Sequence, residues 1–270
     1  MILASDISPN LWIGLPTAAA YALTALLGPR LTSGYGHRLL VAPWALHGLG
    51  LAFALFGAQD DVLRFGFAPA LSVTVWLMLT FYVLEQHWFP RLKTRWTLMV
   101  LGASVVLLAA VFPGAPLQVN ASPLLPLHWA LGVASYGLFA AAVVHASILS
   151  RAEKNMRMAV DTSLDVPLLT LERLTFRFVH AGFVLLTATL LAGWLFGDSL
   201  YGAQAAWRWD HKTVFSLLSW LTFAVLLVGR QRFGWRGRTA IRFLYTGSGL
   251  LLLGYVGSRF VLEVILERIP

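Results

Sequence analysis

Cysteine is absent from the chain. This excludes structural disulfides, thiolate-held metal clusters, thiol redox chemistry and attachment of a haem through a C-x-x-C-H motif of its own. Charge is scarce as well: 12% of residues are charged against 58% hydrophobic, and mean hydropathy is +0.73. A chain of 270 residues with so little polar surface cannot cover a soluble globule. There is no P-loop, no Rossmann glycine pattern and no metalloprotease motif. Carboxylates deep inside the apolar runs are missing too, which argues against an ion-coupled transporter. No repeat and no low-complexity tract divides the chain, so it is expected to form a single integral membrane domain over 1–270.

What is present is a series of long apolar runs. A hydrocarbon core of roughly 30 Å needs about 20 apolar residues per crossing. About eight runs qualify, near 10–29, 38–57, 67–89, 96–113, 124–149, 175–197, 211–229 and 239–262. Backbone groups facing lipid must be satisfied within their own segment, so the expected fold is all-α, a polytopic membrane helix bundle. No Lys or Arg precedes the first run and no small-residue cleavage site follows it, so it is expected to be retained.

The excess of base, 20 Lys and Arg against 12 Asp and Glu, is distributed by loop. Arg30 and Arg38 lie in the first connection, Arg91, Lys93 and Arg95 in the third, Arg151, Lys154, Arg157, Arg173 and Arg177 in the fifth, and Arg230, Arg232, Arg236 and Arg238 in the seventh. The positive-inside bias assigns these connections to the cytoplasm and both termini to the outside. Anionic headgroups and the insertion bias account for the basic loops without nucleic acid. The stretch from Ser150 to about Leu174 is the only charge-rich segment. Its Asp161 to Pro167 core should break a helix, leaving an amphipathic helix or loop.

The densest chemistry lies in Trp207-Arg208-Trp209-Asp210-His211-Lys212, between two apolar runs on an outer connection. An imidazole within an apolar helix needs a partner, so the seven histidines are informative. His37 and His87 sit beside basic loops, where solvation suffices. His47, near the middle of the second run, requires a hydrogen-bond partner, a ligand or a wet cavity. His128 and His145 share one helix but are 17 residues apart, about 25 Å at 1.5 Å per residue, and cannot ligate one iron. By depth, His128 pairs with His211 outside and His145 with His180 inside. The outer pair could provide the two axial imidazoles of a non-covalent, b-type haem. Trp207 and Trp209 would offer a platform for the macrocycle, and Arg208 or Lys212 a cation for its propionates. An interfacial aromatic belt with snorkelling cations explains the same residues without haem. No histidine pair at i, i+4 supports zinc. Glu85, close to the inner interface, is expected to be solvated.

The Trp207 to Lys212 segment, with Trp220 eight residues further on, resembles the W-x-W-D-x-K…W element of the CcsA/CcmC-type cytochrome c assembly family of haem-handling membrane proteins. His128 followed by Ser135-Tyr136, the Gly234-Trp235-Arg236-Gly237 turn, and Gly254-Tyr255-Val256-Gly257 resemble further elements of that family. The likeness covers roughly residues 124–262, and the first half, with His47 in the second span, is similar to the YpjD-like branch. The family usually carries a second outer histidine in its last span, where this chain has Gly257-Ser258-Arg259, and His211 stands where a proline is usual.

The resemblance implies a haem-binding or haem-presenting protein of a bacterial inner membrane, assisting c-type cytochrome assembly without turnover chemistry. The expected site comprises His128 and His211 as iron ligands, with Trp207, Trp209, Asp210, Lys212 and His47, on the periplasmic side. Other cytochrome c assembly proteins would be its partners. The missing last-span histidine favours another reading, an accessory subunit of a membrane ion-transport or respiratory complex that has lost haem chemistry.

Overall fold

A computed structural model of the chain describes residues 9–30, 36–56, 64–88, 96–116, 124–158, 167–197 and 209–266. Trp207, Arg208 and the 159–166 connection lie outside these residues, as do the side chains of His37 and His87. The chain is an all-α polytopic membrane protein. Each expected span coincides with a helix, and six helical segments are long and apolar enough to cross a membrane: Leu11–Arg30, Phe67–Glu85, Leu124–Arg157, Leu168–Leu195, His211–Phe233 and Gly237–Ile265. Two apolar helices, Leu39–Ala54 and Thr97–Val111, are shorter; the latter, at 15 residues, reaches only about 22 Å. Large apolar side chains such as Trp12, Leu49 and Val184 are exposed. In water such a surface would aggregate, but lipid tails solvate it.

The helices group into two compact units, residues 1–119 with 259–270, and residues 120–258. In the first, α1 (Pro9–Leu27), α2 (Gly36–Phe56), α3 (Phe67–Trp88) and α4 (Thr97–Val111) pack in cyclic order, each against its two neighbours. Glycine allows close approach where an aromatic ring must fit: a Cβ on Gly102 of α4 would lie 2.9 Å from the fully buried ring of Tyr21 on α1. Between α2 and α3, the Trp44 and Trp76 rings stack at 5.8 Å. The Trp76 indole donates to the Trp44 carbonyl and the Trp44 indole to Thr80. A two-residue ribbon, β1 (Arg64–Phe65) against β2 (Ala115–Pro116), joins the connection before α3 to that after α4. Gly114 in its turn has φ +83, and a Cβ there would meet the Phe65 backbone at 2.5 Å.

The second unit holds α5 (Leu124–Arg157), α6 (Leu168–Leu195), α7 (His211–Phe233) and α8 (Gly237–Leu252), again in cyclic contact. Past α8 the helix widens into a π segment, Leu253–Gly257. Phe139 of α5 and Phe223 of α7 stack face to face with centroids 3.9 Å apart. Gly182 of α6 and Gly247 of α8 face these two rings, where a Cβ would come to 3.0 Å and 2.8 Å. Apolar pairing alone gives little drive for association in lipid, so such close packing carries the bundle. Polar ties add to it: Ser219 donates to the Gly247 carbonyl and the Trp220 indole to Thr187.

The charge-rich segment is helical on both sides of the 159–166 connection, which lies outside the described residues. α5 continues through Arg157 and α6 begins at Leu168, because Arg, Ala, Glu, Lys and Met favour helix and their long side chains extend into water. At this basic end Arg230 forms a 2.7 Å ion pair with Glu172 and lies over the Phe176 ring at 3.6 Å. The Gly234-Trp235-Arg236-Gly237 turn is a helix corner. Gly234 takes φ +64, the Trp235 amide donates back to the Gly229 carbonyl, and the Trp235 ring covers Gly229 so closely that no Cβ fits. The left-handed glycine ends the helix, and the Gly229 carbonyl receives both the Gly234 and the Trp235 amides.

Candidate functional site

The head of α7 is built by Asp210. Its backbone is extended, and its carboxylate accepts the Thr213 amide at 2.8 Å, which starts the helix with His211 and Lys212 in its first turn. The acid of the Trp-x-Trp-Asp element therefore acts as a helix cap. Trp220, the far tryptophan of the same element, stacks on Phe183 and ties α7 to α6 through Thr187.

His128 is buried at the α5 end that lies beside the C-terminal part of α6. Gly193 of α6 faces its ring, and a Cβ there would stand 3.4 Å from His128 Cε1. The ammonium of Lys212 is close enough to act electrostatically on the His128 imidazole. It also lies 5.6 Å from the centroid of the Tyr255 ring, which the π segment presents. Tyr136, two turns along α5 from His128, donates from its hydroxyl to the Leu251 carbonyl at 2.5 Å and receives the Tyr255 amide. A Cβ on Gly254 would lie 3.3 Å from Phe215 Cβ and 3.6 Å from the Lys212 carbonyl, so the last helix passes tightly over the first turns of α7.

His128, Lys212, Tyr136 and Tyr255 thus converge from three helices on one end of the second unit. The expected partner His211 is exposed. It forms no ring contact or hydrogen bond with His128 among the described residues. Trp209 is 72% exposed. Sequence reasoning valued Tyr255 only as part of a motif and gave Tyr136 no role; the Ser-Tyr pair seventh and eighth after His128 was the available signal.

Each inner histidine hydrogen-bonds within its own helix. His145 Nδ1 donates to the Ala141 carbonyl at 2.8 Å and His180 Nδ1 to the Phe176 carbonyl at 2.7 Å, each one turn back on its own helix. In the first unit His47 is buried, with Nδ1 3.1 Å from the Tyr21 hydroxyl and Nε2 2.8 Å from Ser72 Oγ. Both nitrogens are engaged, so His47 could ligate a metal only by giving up one of these bonds. Glu85, expected to be solvated, is buried in α3. The packing of α3 encloses it although it lies near the helix end. No cluster of three His, Cys, Asp or Glu suited to a metal ion occurs among the described residues.

The family described as Cytochrome C assembly protein matches residues 39–266. The chain belongs to that family. The chain is 33% identical over 151 residues to Inner membrane protein YpjD of Escherichia coli, a stretch covering 55% of the chain and 56% of that protein. It is 25% identical over 208 residues to the Cytochrome c biogenesis protein CcsA of Prochlorococcus marinus subsp. pastoris, covering 72% of the chain and 62% of that relative. With CcsA of Gloeobacter violaceus it shares 32% identity over 94 residues, 35% of the chain and 27% of the relative. The chain thus spans little more than half the length of the first of these curated relatives. No solved structure matches it.

Proposed function

We propose that this cytochrome c assembly protein binds haem non-covalently at the His128 end of its second unit and holds it for c-type cytochrome assembly. The carrying observation is the convergence there of a buried imidazole, His128, with a cation, Lys212, under the cover of Tyr255. Haem would supply an iron that takes an axial imidazole and two propionates that take a cation. The donor set fits such a group: a buried imidazole for the iron and an ammonium for a propionate stand at the same end of the unit.

In this reading His128 would hold the iron and Lys212 would meet a propionate. The exposed Trp209 supplies an apolar face at the rim. Asp210 holds Lys212 and His211 in place by capping α7. His211, exposed in the first turn of α7, would offer the second imidazole. The protein sits in the bacterial inner membrane with this end periplasmic, as the basic connections and the name of the Escherichia coli relative support. It presents haem to other assembly proteins and does not transform it.

The test is the visible spectrum of the detergent-purified protein with added haemin, oxidised and then reduced. A Soret band with low-spin reduced peaks is expected, lost in His128→Ala and converted towards high spin in His211→Ala. A protein that stays colourless with haemin sinks the proposal. It would then move the choice to an accessory subunit that keeps the fold without haem chemistry.

A further inference from the structure

The last helix changes character where Tyr136 meets it. From Gly237 to Leu252 it is α-helical, and from Leu253 to Gly257 it is π-helical. The Tyr136 hydroxyl donates to the carbonyl of Leu251 and receives the amide of Tyr255. Those two groups stand four residues apart, the donor and acceptor that an α-helix would join directly. A side chain entering the ladder at such a point opens the helix, and a π turn is the usual way to absorb the slack. Each residue of an α-helix turns by about 100°, so the residue added by a π turn redirects every side chain beyond it.

What is redirected here is the face towards α7. Gly254 lies against Phe215 and the Lys212 carbonyl, and the Tyr255 ring lies beneath the Lys212 ammonium. We infer that Tyr136 is a positioning residue: its hydroxyl holds the last helix open at Leu251–Tyr255, and this opening sets Tyr255 under Lys212 beside His128. Tyr136 itself touches no ligand. It acts through Tyr255, and the consequence for haem rests on the site proposed above.

The chain has only three lysines, Lys93, Lys154 and Lys212, so the exposure of Lys212 can be read directly. The full chain in detergent is pulsed with an amine-acylating reagent, and the three rates are followed by mass spectrometry in the unaltered protein and in Tyr136→Phe. The phenylalanine keeps the ring and removes only the hydroxyl. Lys212 is expected to react several-fold faster in the variant, with Lys93 and Lys154 unchanged. An unchanged Lys212 rate overturns the inference.

Haemin titration of the same samples adds a spectroscopic signature. Weaker uptake and a shifted Soret band are expected for Tyr136→Phe, and an identical spectrum counts against the positioning role. If the unaltered protein takes up no haem while Lys212 still responds, the haem proposal fails and the positioning role stands. Should Tyr136→Phe not fold, Tyr255→Ala decides. It leaves the Tyr136 hydroxyl in place and deletes the ring under Lys212, so it must raise the Lys212 rate likewise, and a constant rate overturns the inference.

Discussion

Asp210 and His47 are both expected at the haem site from the sequence, and each has hydrogen-bond partners within the fold. The Asp210 carboxylate accepts the Thr213 amide, and loss of such a cap costs about 1 kcal/mol. Asp210→Ala should therefore lower the thermal midpoint in detergent and weaken haem uptake, while Asp210→Asn, which retains a capping oxygen, should restore both. A direct ligand role would show instead as failure of Asn to rescue. His47 bridges the Tyr21 hydroxyl and Ser72. Hydrogen bonds between membrane helices contribute about 0.6 kcal/mol each on average, so His47→Phe should cost about 1 kcal/mol of stability and leave the haem spectrum as it is. A changed spectrum would make His47 part of the site. The residue types were legible in the sequence, since a mid-span histidine demands a partner. The partners were not, because Tyr21 and Ser72 lie on other helices, 26 and 25 residues away.

At the level of helices, position along the chain was readable and neighbourhood was not. Apolar length marks a span whatever it packs against, and each expected run holds a helix. Which spans touch depends on small surface shapes such as Gly182 and Gly247 facing the stacked Phe139 and Phe223 rings, which no hydropathy pattern encodes. The arrangement makes an element-scale prediction. Gly247→Ala puts a methyl 2.8 Å from the Phe223 ring, and overpacking of this kind costs about 1–3 kcal/mol. Adding Phe223→Leu should recover part of that loss, because the smaller side chain vacates the contested space. Thermal midpoints of the single and double variants measure the coupling, and strictly additive losses would show that the ring and the glycine do not share a space. The π segment was equally hidden: Gly254-Tyr255-Val256-Gly257 was visible as a motif, but its cause lies on α5, at Tyr136.

For the whole molecule, the distribution of charge carries the argument about sides. The last turn of α7, the connection and the first turn of α8 hold Arg230, Arg232, Arg236 and Arg238, while the head of α7 offers Asp210, His211 and Lys212. With 23 residues α7 is about 35 Å long, enough to separate these two ends by the full hydrocarbon core. Trp209 and Phe233 flank it and are nearly equally exposed, at 72% and 73%. Cysteines placed at these positions should then differ in reactivity because of side and not because of burial. The absence of native cysteine makes each replacement the sole thiol of the chain. In intact spheroplasts a membrane-impermeant maleimide should label Trp209→Cys and spare Phe233→Cys, and permeabilisation should make the two equal. The reverse pattern would place the His128 end in the cytoplasm. Haem held there could not be handed to apocytochromes on the periplasmic side, and the proposed site would have to serve haem capture instead.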